Sequence, residues 1–299
     1  MPRSVPVRWR GTAITLVVLL ALALTAYLVV KQVKPILIGS GCQANARGQE
    51  MPLDPEQAGI AATIAGVAQD RDLSRRAVTI AYAAALQESK LHNLDYGDRD
   101  SVGVFQQRPS EGWGPASKLQ DPVYATSRFF RALTAIPGYR QLPVFKAAQG
   151  VQHSADGAAY RQYVRQASRL ALAFTGGNPH AVWCWWPSVP SGRPKLAAAS
   201  RSLAHAFGPA GSAQADPPRS ALADPPRSGQ SDPPRPQALL VRAPSPARGW
   251  AVAVWLVTHA PEYRIHEVRY AGYQWQVSAG TKGWTRDPGA ALAGNVRAS

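Results

Sequence analysis

The sequence predicts a mainly α protein: a helical domain behind an N-terminal transmembrane helix, then a disordered proline-rich linker and a small C-terminal α+β module. Three observations predict it. Residues 12–30 form an apolar run without a charge, flanked by Arg8 and Arg10 on one side and Lys31 and Lys34 on the other, and long enough to cross a bilayer. Between residues 54 and 174, capped segments with apolar side chains at helical spacing follow one another. From 187 to 247 the composition shifts to proline and arginine, with Asp-Pro-Pro-Arg repeated from Asp216, Asp224 and Asp232.

The expected order is therefore a cytoplasmic N-terminus over 1–11, a membrane anchor over 12–30, the main domain over 42–186, a linker over 187–247 and a helix-plus-hairpin module over 248–299. A cleaved signal peptide competes with the anchor, but Tyr27-Leu28-Val29-Val30-Lys31 offers no small-residue cleavage site. Ile38-Gly39-Ser40-Gly41-Cys42 hints at a lipoprotein site, with Lys31, Lys34 and Gly39 against it. Basic residues on both flanks leave the positive-inside rule undecided. The two cysteines favour a single-pass cell-membrane protein with its main domain outside. Cys42 and Cys184 bracket that domain, and an oxidising exterior would join them into a bridge worth about 2 to 5 kcal/mol; the alternative is two unpaired small apolar residues.

Asp54-Pro55-Glu56-Gln57 reads as a helix start, with Asp54 as cap, Pro55 in the first turn and Gln57 reaching back. A second helix is expected over 75–89, capped by Ser74. The loop 93–99 leads to a short apolar segment, 102–105, that suits a hairpin or the wall of a cleft. Asp121-Pro122 opens a third helix ending near Pro137-Gly138; 144–152 and 158–174 continue the pattern, and Gly176-Gly177 stops it. The linker is expected to be solvated, since proline removes amide donors and few apolar groups offset the cost of ordering. In the last module a helix over 249–259 precedes strands around Val268 and Trp275, with Gly283 onward adding another; its tryptophans are expected to form a core rather than a sugar platform.

The formal charge of +15, from 33 basic and 18 acidic residues, invites a nucleic-acid reading. No helix-turn-helix, zinc-finger or RNA-binding signature accompanies it, so no nucleic-acid partner is expected; anionic wall polymers or lipid headgroups suit an exported basic chain better. The two cysteines and six histidines show no metal-ligand spacing, and nothing calls for a cofactor. A transporter role is poorly served by one span.

Chemistry centres on Glu88, near the C-terminal end of its helix. That end carries partial negative charge, and a carboxylate there, if also shielded by Phe105 or Trp113, is disposed to keep the proton a general acid needs. Ser89 would brace it or cap the helix exit. Gln106, Gln107 and Trp113 suit a cleft wall of hydrogen-bonding amides and one aromatic face. Asp95, Asp98, Asp100 and Glu111 are available as second carboxylates; Asp100 is the one singled out, although Asp98 and Asp100 also suit turn formation.

The blocks Glu88-Ser89 and Gly103-Val104-Phe105-Gln106 resemble the lysozyme-like domain of lytic transglycosylases, whose motif is Glu-Ser followed by Gly-Leu-Met-Gln. The resemblance is closer to membrane-anchored actinobacterial proteins carrying Gln-Glu-Ser-Lys-Leu, Tyr-Gly-Asp-Arg-Asp-Ser and Phe-Gln-Gln-Arg-Pro-Ser, matched at 87–91, 96–101 and 105–110. It covers roughly residues 53–184. It implies cleavage of β-1,4 bonds in peptidoglycan glycan strands, with Glu88 as general acid and then base. In that family a late Ala-Tyr-Asn segment lines the cleft; the similar position here, 147–152, lacks tyrosine and asparagine, leaving Gln149 and Gln152 to meet the sugar. That departure supports the alternative, a catalytically inactive, membrane-anchored wall-binding module that positions a partner.

Overall fold

The described chain opens with a hairpin, β1 (Gly41–Ala46) and β2 (Gln49–Leu53). The computed structural model describes residues 39–154, 157–209, 213–215, 238–287 and 294–299, together with Val17. Helices α1 (Pro55–Asp70), α2 (Arg75–Glu88), α3 (Ala116–Leu119), α4 (Pro122–Ala135), α5 (Val144–Gln152) and α6 (Val164–Phe174) follow, then β3 (Val182–Trp185) and α7 (Leu196–Phe207). The C-terminal part consists of β4 (Ala213–Ala215), β5 (Leu239–Arg242), α8 (Pro246–Thr258), α9 (Ala260–Tyr263), β6 (Glu267–Tyr270), β7 (Tyr273–Gln276), β8 (Thr285–Arg286) and β9 (Asn295–Ala298).

The capping box at the start of α1 forms as the sequence predicts: Asp54 accepts from the Gln57 N–H at 2.9 Å, and the Gln57 side chain accepts from the Asp54 N–H at 3.1 Å. Ser74 precedes α2 in extended backbone but makes no side-chain cap. Both helices lie deeper than an amphipathic reading suggests. Ile60–Ala68 of α1, Ala77–Leu86 of α2 and Gly249–Thr258 of α8 are buried without interruption; helices buried all round sit inside a core rather than on it. Alanine permits this, because its small side chain lets neighbours approach closely. The Tyr82 hydroxyl, buried in α2, donates to the Ala61 carbonyl of α1 at 2.6 Å, so its polar atom is not left unmade.

The expected fold class needs correction. Two antiparallel sheets accompany the helices, in the orders β2-β1-β3 and β4-β5-β9-β6-β7-β8, so the protein is α+β rather than mainly α. Among the described residues no helix is long and apolar enough to cross a membrane; apart from Val17, the run 12–30 and the N-terminus over 1–11 lie outside the described residues. The Asp-Pro-Pro-Arg repeats also lie outside them, but α7 falls within the expected linker, packing Leu196, Ala199, Leu203, Ala206 and Phe207 inward. Nor does the last part of the chain stand apart: Ser40–Ser299 is one compact unit.

Tryptophans account for that union. The indole N–H groups of Trp275 and Trp284 donate to the carbonyls of Cys184 (2.8 Å) and Val182 (2.7 Å) on β3, while that of Trp183 donates to Thr281 at 3.1 Å. Arg248 adds bonds to the carbonyls of Phe207 at 2.6 Å and Gln69 at 3.3 Å. Trp250, Trp255 and Trp275 are buried, in the core role expected of them.

Cys42 and Cys184 are joined. They face each other in the β1–β3 register with Cα atoms 4.0 Å apart, and the bridge closes a sequence separation of 142 residues. A loop this long loses considerable unfolded-chain entropy on cross-linking. Replacing both cysteines by serine should lower the free energy of unfolding by about 3 to 5 kcal/mol, read from urea unfolding at matched m-value; an unmoved midpoint would contradict it.

Candidate active site

Helix α2 ends where Glu88 and Ser89 meet an irregular buried segment, and the side chains around that junction are occupied in satisfying its backbone. Gly103, Val104 and Phe105 are buried and outside any strand, apart from a bridge in which Val102 and Gln107 exchange N–H···O bonds of 3.1 Å. Buried carbonyls need donors. Ser89 Oγ, itself buried, lies 2.8 Å from the Val104 carbonyl and 3.1 Å from that of Ala85, sharing one proton between loop and helix, and it accepts from the His92 N–H at 3.2 Å. Gln152 Nε2 donates to Phe105 at 2.7 Å, and Gln106 Nε2 donates to Gly103 at 3.1 Å.

Two glycines permit this path. Gly103 has φ +80°, and a Cβ there would lie 2.5 Å from the Leu119 carbonyl oxygen; at Gly97 it would lie 1.9 Å from Gln106 Oε1. Either substitution displaces the loop. Phe105 turns inward and stacks on Phe129, with ring centres 4.5 Å apart.

Glu88 is half-buried at the last position of α2 and borders a cleft of about 630 Å³ that also reaches Gln106, Gln107, Gln152 and Trp113. The hydroxyl of Tyr160, a buried residue on the 3₁₀ stretch Gly157–Tyr163, donates to Glu88 Oε1 at 2.6 Å. Among the described residues no hydrogen bond reaches Oε2. One carboxylate oxygen is thereby oriented while the other remains available for proton transfer. Among the described residues Gln107 and Gln152 each leave a buried Oε1 without a donor, with their amide nitrogens directed to the carbonyls of Ala125 and Phe105.

The structure brings Glu88, Gln106, Gln107, Trp113 and Gln152 to one cleft but engages the three glutamines through backbone contacts. Ser89 braces the helix end from beneath. Gln149 donates to the Ser154 carbonyl at 3.1 Å and does not line the cleft. Nor does Asp100, which accepts from the Ser110 N–H at 2.7 Å, Ser110 Oγ at 2.9 Å and Arg108 Nε at 3.0 Å. Glu111 does border it, in an ion pair with the same Arg108. Among the described residues no cluster of His, Cys, Asp and Glu could hold a metal ion.

Tyr160 escaped the sequence reading. It lies eight residues beyond 147–152, within a segment whose helical spacing alone gave no reason to direct it at Glu88. Comparison with protein-family models gives no match, and comparison with curated proteins gives none either.

The Ser110 N–H, aided by Arg108, holds the Asp100 carboxyl down to about 2, from an ordinary 3.8. A depressed carboxylate stabilises the fold above its unfolded value and loses that effect as pH falls through its folded value. Asp100→Asn should therefore melt below the wild type above about pH 4, with the gap closing toward pH 2. Thermal scans across this range check it; a pH-independent gap would reject the ionic role.

Proposed function

We propose that this protein cleaves β-1,4 glycosidic bonds of peptidoglycan glycan strands with Glu88 as the single general acid and base. The observation that carries this reading is the half-buried Glu88 carboxyl in a cleft large enough for sugar, with Oε1 fixed by Tyr160. The resemblance to lytic transglycosylases supports it as well, since Glu88 and Gln106, one residue from each of the two blocks that carry the likeness, border the same cleft. In the first step the Glu88 proton passes to the leaving glycosidic oxygen as the C–O bond breaks. In the second, Glu88 takes the proton of a hydroxyl on the same substrate while that oxygen bonds to the anomeric carbon, closing an anhydro ring and restoring the acid.

The single-carboxylate form is favoured over a two-carboxylate mechanism by the neighbours of Asp100 and Glu111. Asp100 is engaged by Arg108 and Ser110, and Glu111 is paired with Arg108; either would have to give up its partner to serve as nucleophile or base. The Cys42–Cys184 bridge supports a location outside the cytosol, where disulfides persist and the wall is reached.

Mass analysis of purified wall fragments after incubation with the protein tests this reading. The expected products lack one water relative to hydrolytic ones, and Glu88→Gln should cut their release by about 10²–10⁴-fold with little change in unfolding midpoint. Wild-type rates in that variant would remove Glu88 from the mechanism. Products carrying the added water would replace ring closure by hydrolysis, and wall binding without cleavage would favour the wall-binding module.

A further inference from the structure

Along α6, four arginines share a groove of about 390 Å³ with no carboxylate among its described lining residues. Arg165 and Arg169 stand one helical turn apart, on either side of Ser168. Arg75, the first residue of α2, and Arg47, in the β1–β2 turn, line the same groove. Among the described residues none of the four makes an ion pair. Like charges at i and i+4 oppose helix formation, and two further guanidinium groups add to the repulsion. Four such groups with no ion-pair partner among the described residues concentrate positive potential that an entering anion would relieve.

We infer that this groove binds the phosphodiester backbone of an anionic polymer. The guanidinium fork matches phosphate oxygens two at a time, and several forks in one groove suit successive phosphates better than a single ion. Val164 and Leu172 line the same groove and offer apolar contact to the carbon units between phosphates. The groove is concave, and among the described residues the exposed large hydrophobic side chains, Val17 and Tyr96, lie outside it. Such a surface lacks the apolar wedge with which proteins enter a lipid headgroup layer. The segment that carries Tyr160 runs directly into α6, so a polymer held here lies alongside the element that helps orient Glu88. The inference stands independently of what Glu88 does.

The test is fluorescence anisotropy of a labelled glycerol-phosphate oligomer titrated with the full chain across a range of salt, with phosphatidylglycerol vesicles and inorganic phosphate as comparison arms. The wild type should bind the oligomer more tightly than inorganic phosphate. Arg165→Gln with Arg169→Gln should weaken binding by about tenfold and reduce the salt slope by about one and a half. Arg47→Gln, on the facing turn, should weaken it independently. Arg131→Gln with Arg201→Gln, two exposed residues outside the groove with the same change in charge, should leave it within about twofold. Glu88→Gln should bind as the wild type does, which separates this site from the cleft. Equal weakening by the Arg131 and Arg201 pair would reduce the effect to diffuse charge and overturn the site. So would failure of the wild type to bind the oligomer at physiological ionic strength, or a greater loss of vesicle binding than of oligomer binding in the Arg165 and Arg169 pair.

Discussion

One shared hydroxyl proton, on Ser89, connects the helix that presents Glu88 to the loop that forms the wall of its cleft. The constraint behind it is general: a buried segment without regular secondary structure must find donors for its carbonyls elsewhere. Here they come from side chains on three parts of the chain: Ser89 for Val104, Gln106 for Gly103 and Gln152 for Phe105. Helix α5 carries the last of these, so the spacing between α2 and α5 is set partly by the loop held between them. The polar residues that look available to a sugar are largely engaged in maintaining the cavity a sugar would enter.

The rest of the unit gives that junction a rigid base. α2 leaves the core only at its last residues, because Ala77–Leu86 is buried throughout, and it then turns sharply: Lys90 and Leu91 have φ of +57° and +65°. Consecutive left-handed residues without glycine are costly, and they persist here with the Leu91 side chain fully buried and its N–H bonded to the Ala85 carbonyl at 3.2 Å. The chain direction after Glu88 is thus fixed by packing rather than by local preference. On the far side of the core, the disulfide and the indole bonds to β3 join the first and last parts of the described chain.

Capping chemistry was the most legible layer of the sequence. Asp54 and Gln57 mark the start of α1, Asp121 caps α4 through the Val123 N–H, and residues 144–152 bound α5 as periodicity predicts. The sheets were less legible. β1 is Gly-Cys-Gln-Ala-Asn-Ala, with no β-branched or aromatic residue, and it is a strand because β2 and β3 flank it on both sides; tertiary pairing overrides weak propensity. α7 was obscured by the proline-rich composition around it, although Leu196, Ala199, Leu203 and Phe207 keep helical spacing. At the candidate site, the position of Glu88 at the end of α2 was legible from helical spacing. The roles of Gln106 and Gln152 were not, since their partners are carbonyls whose need appears only once the loop is buried, and Tyr160 depends on a contact across 72 residues.

Amide hydrogen exchange of Ser89→Ala compared with the wild type shows whether that one hydroxyl sets the cleft wall. If the Ser89 hydroxyl holds the cleft wall, its loss costs about 1 to 3 kcal/mol, and the paired amides of Val102 and Gln107 should exchange faster while the interior amides of α2 between Ala81 and Leu86 remain protected. Unchanged protection at Val102 and Gln107 would show that the loop stands without Ser89.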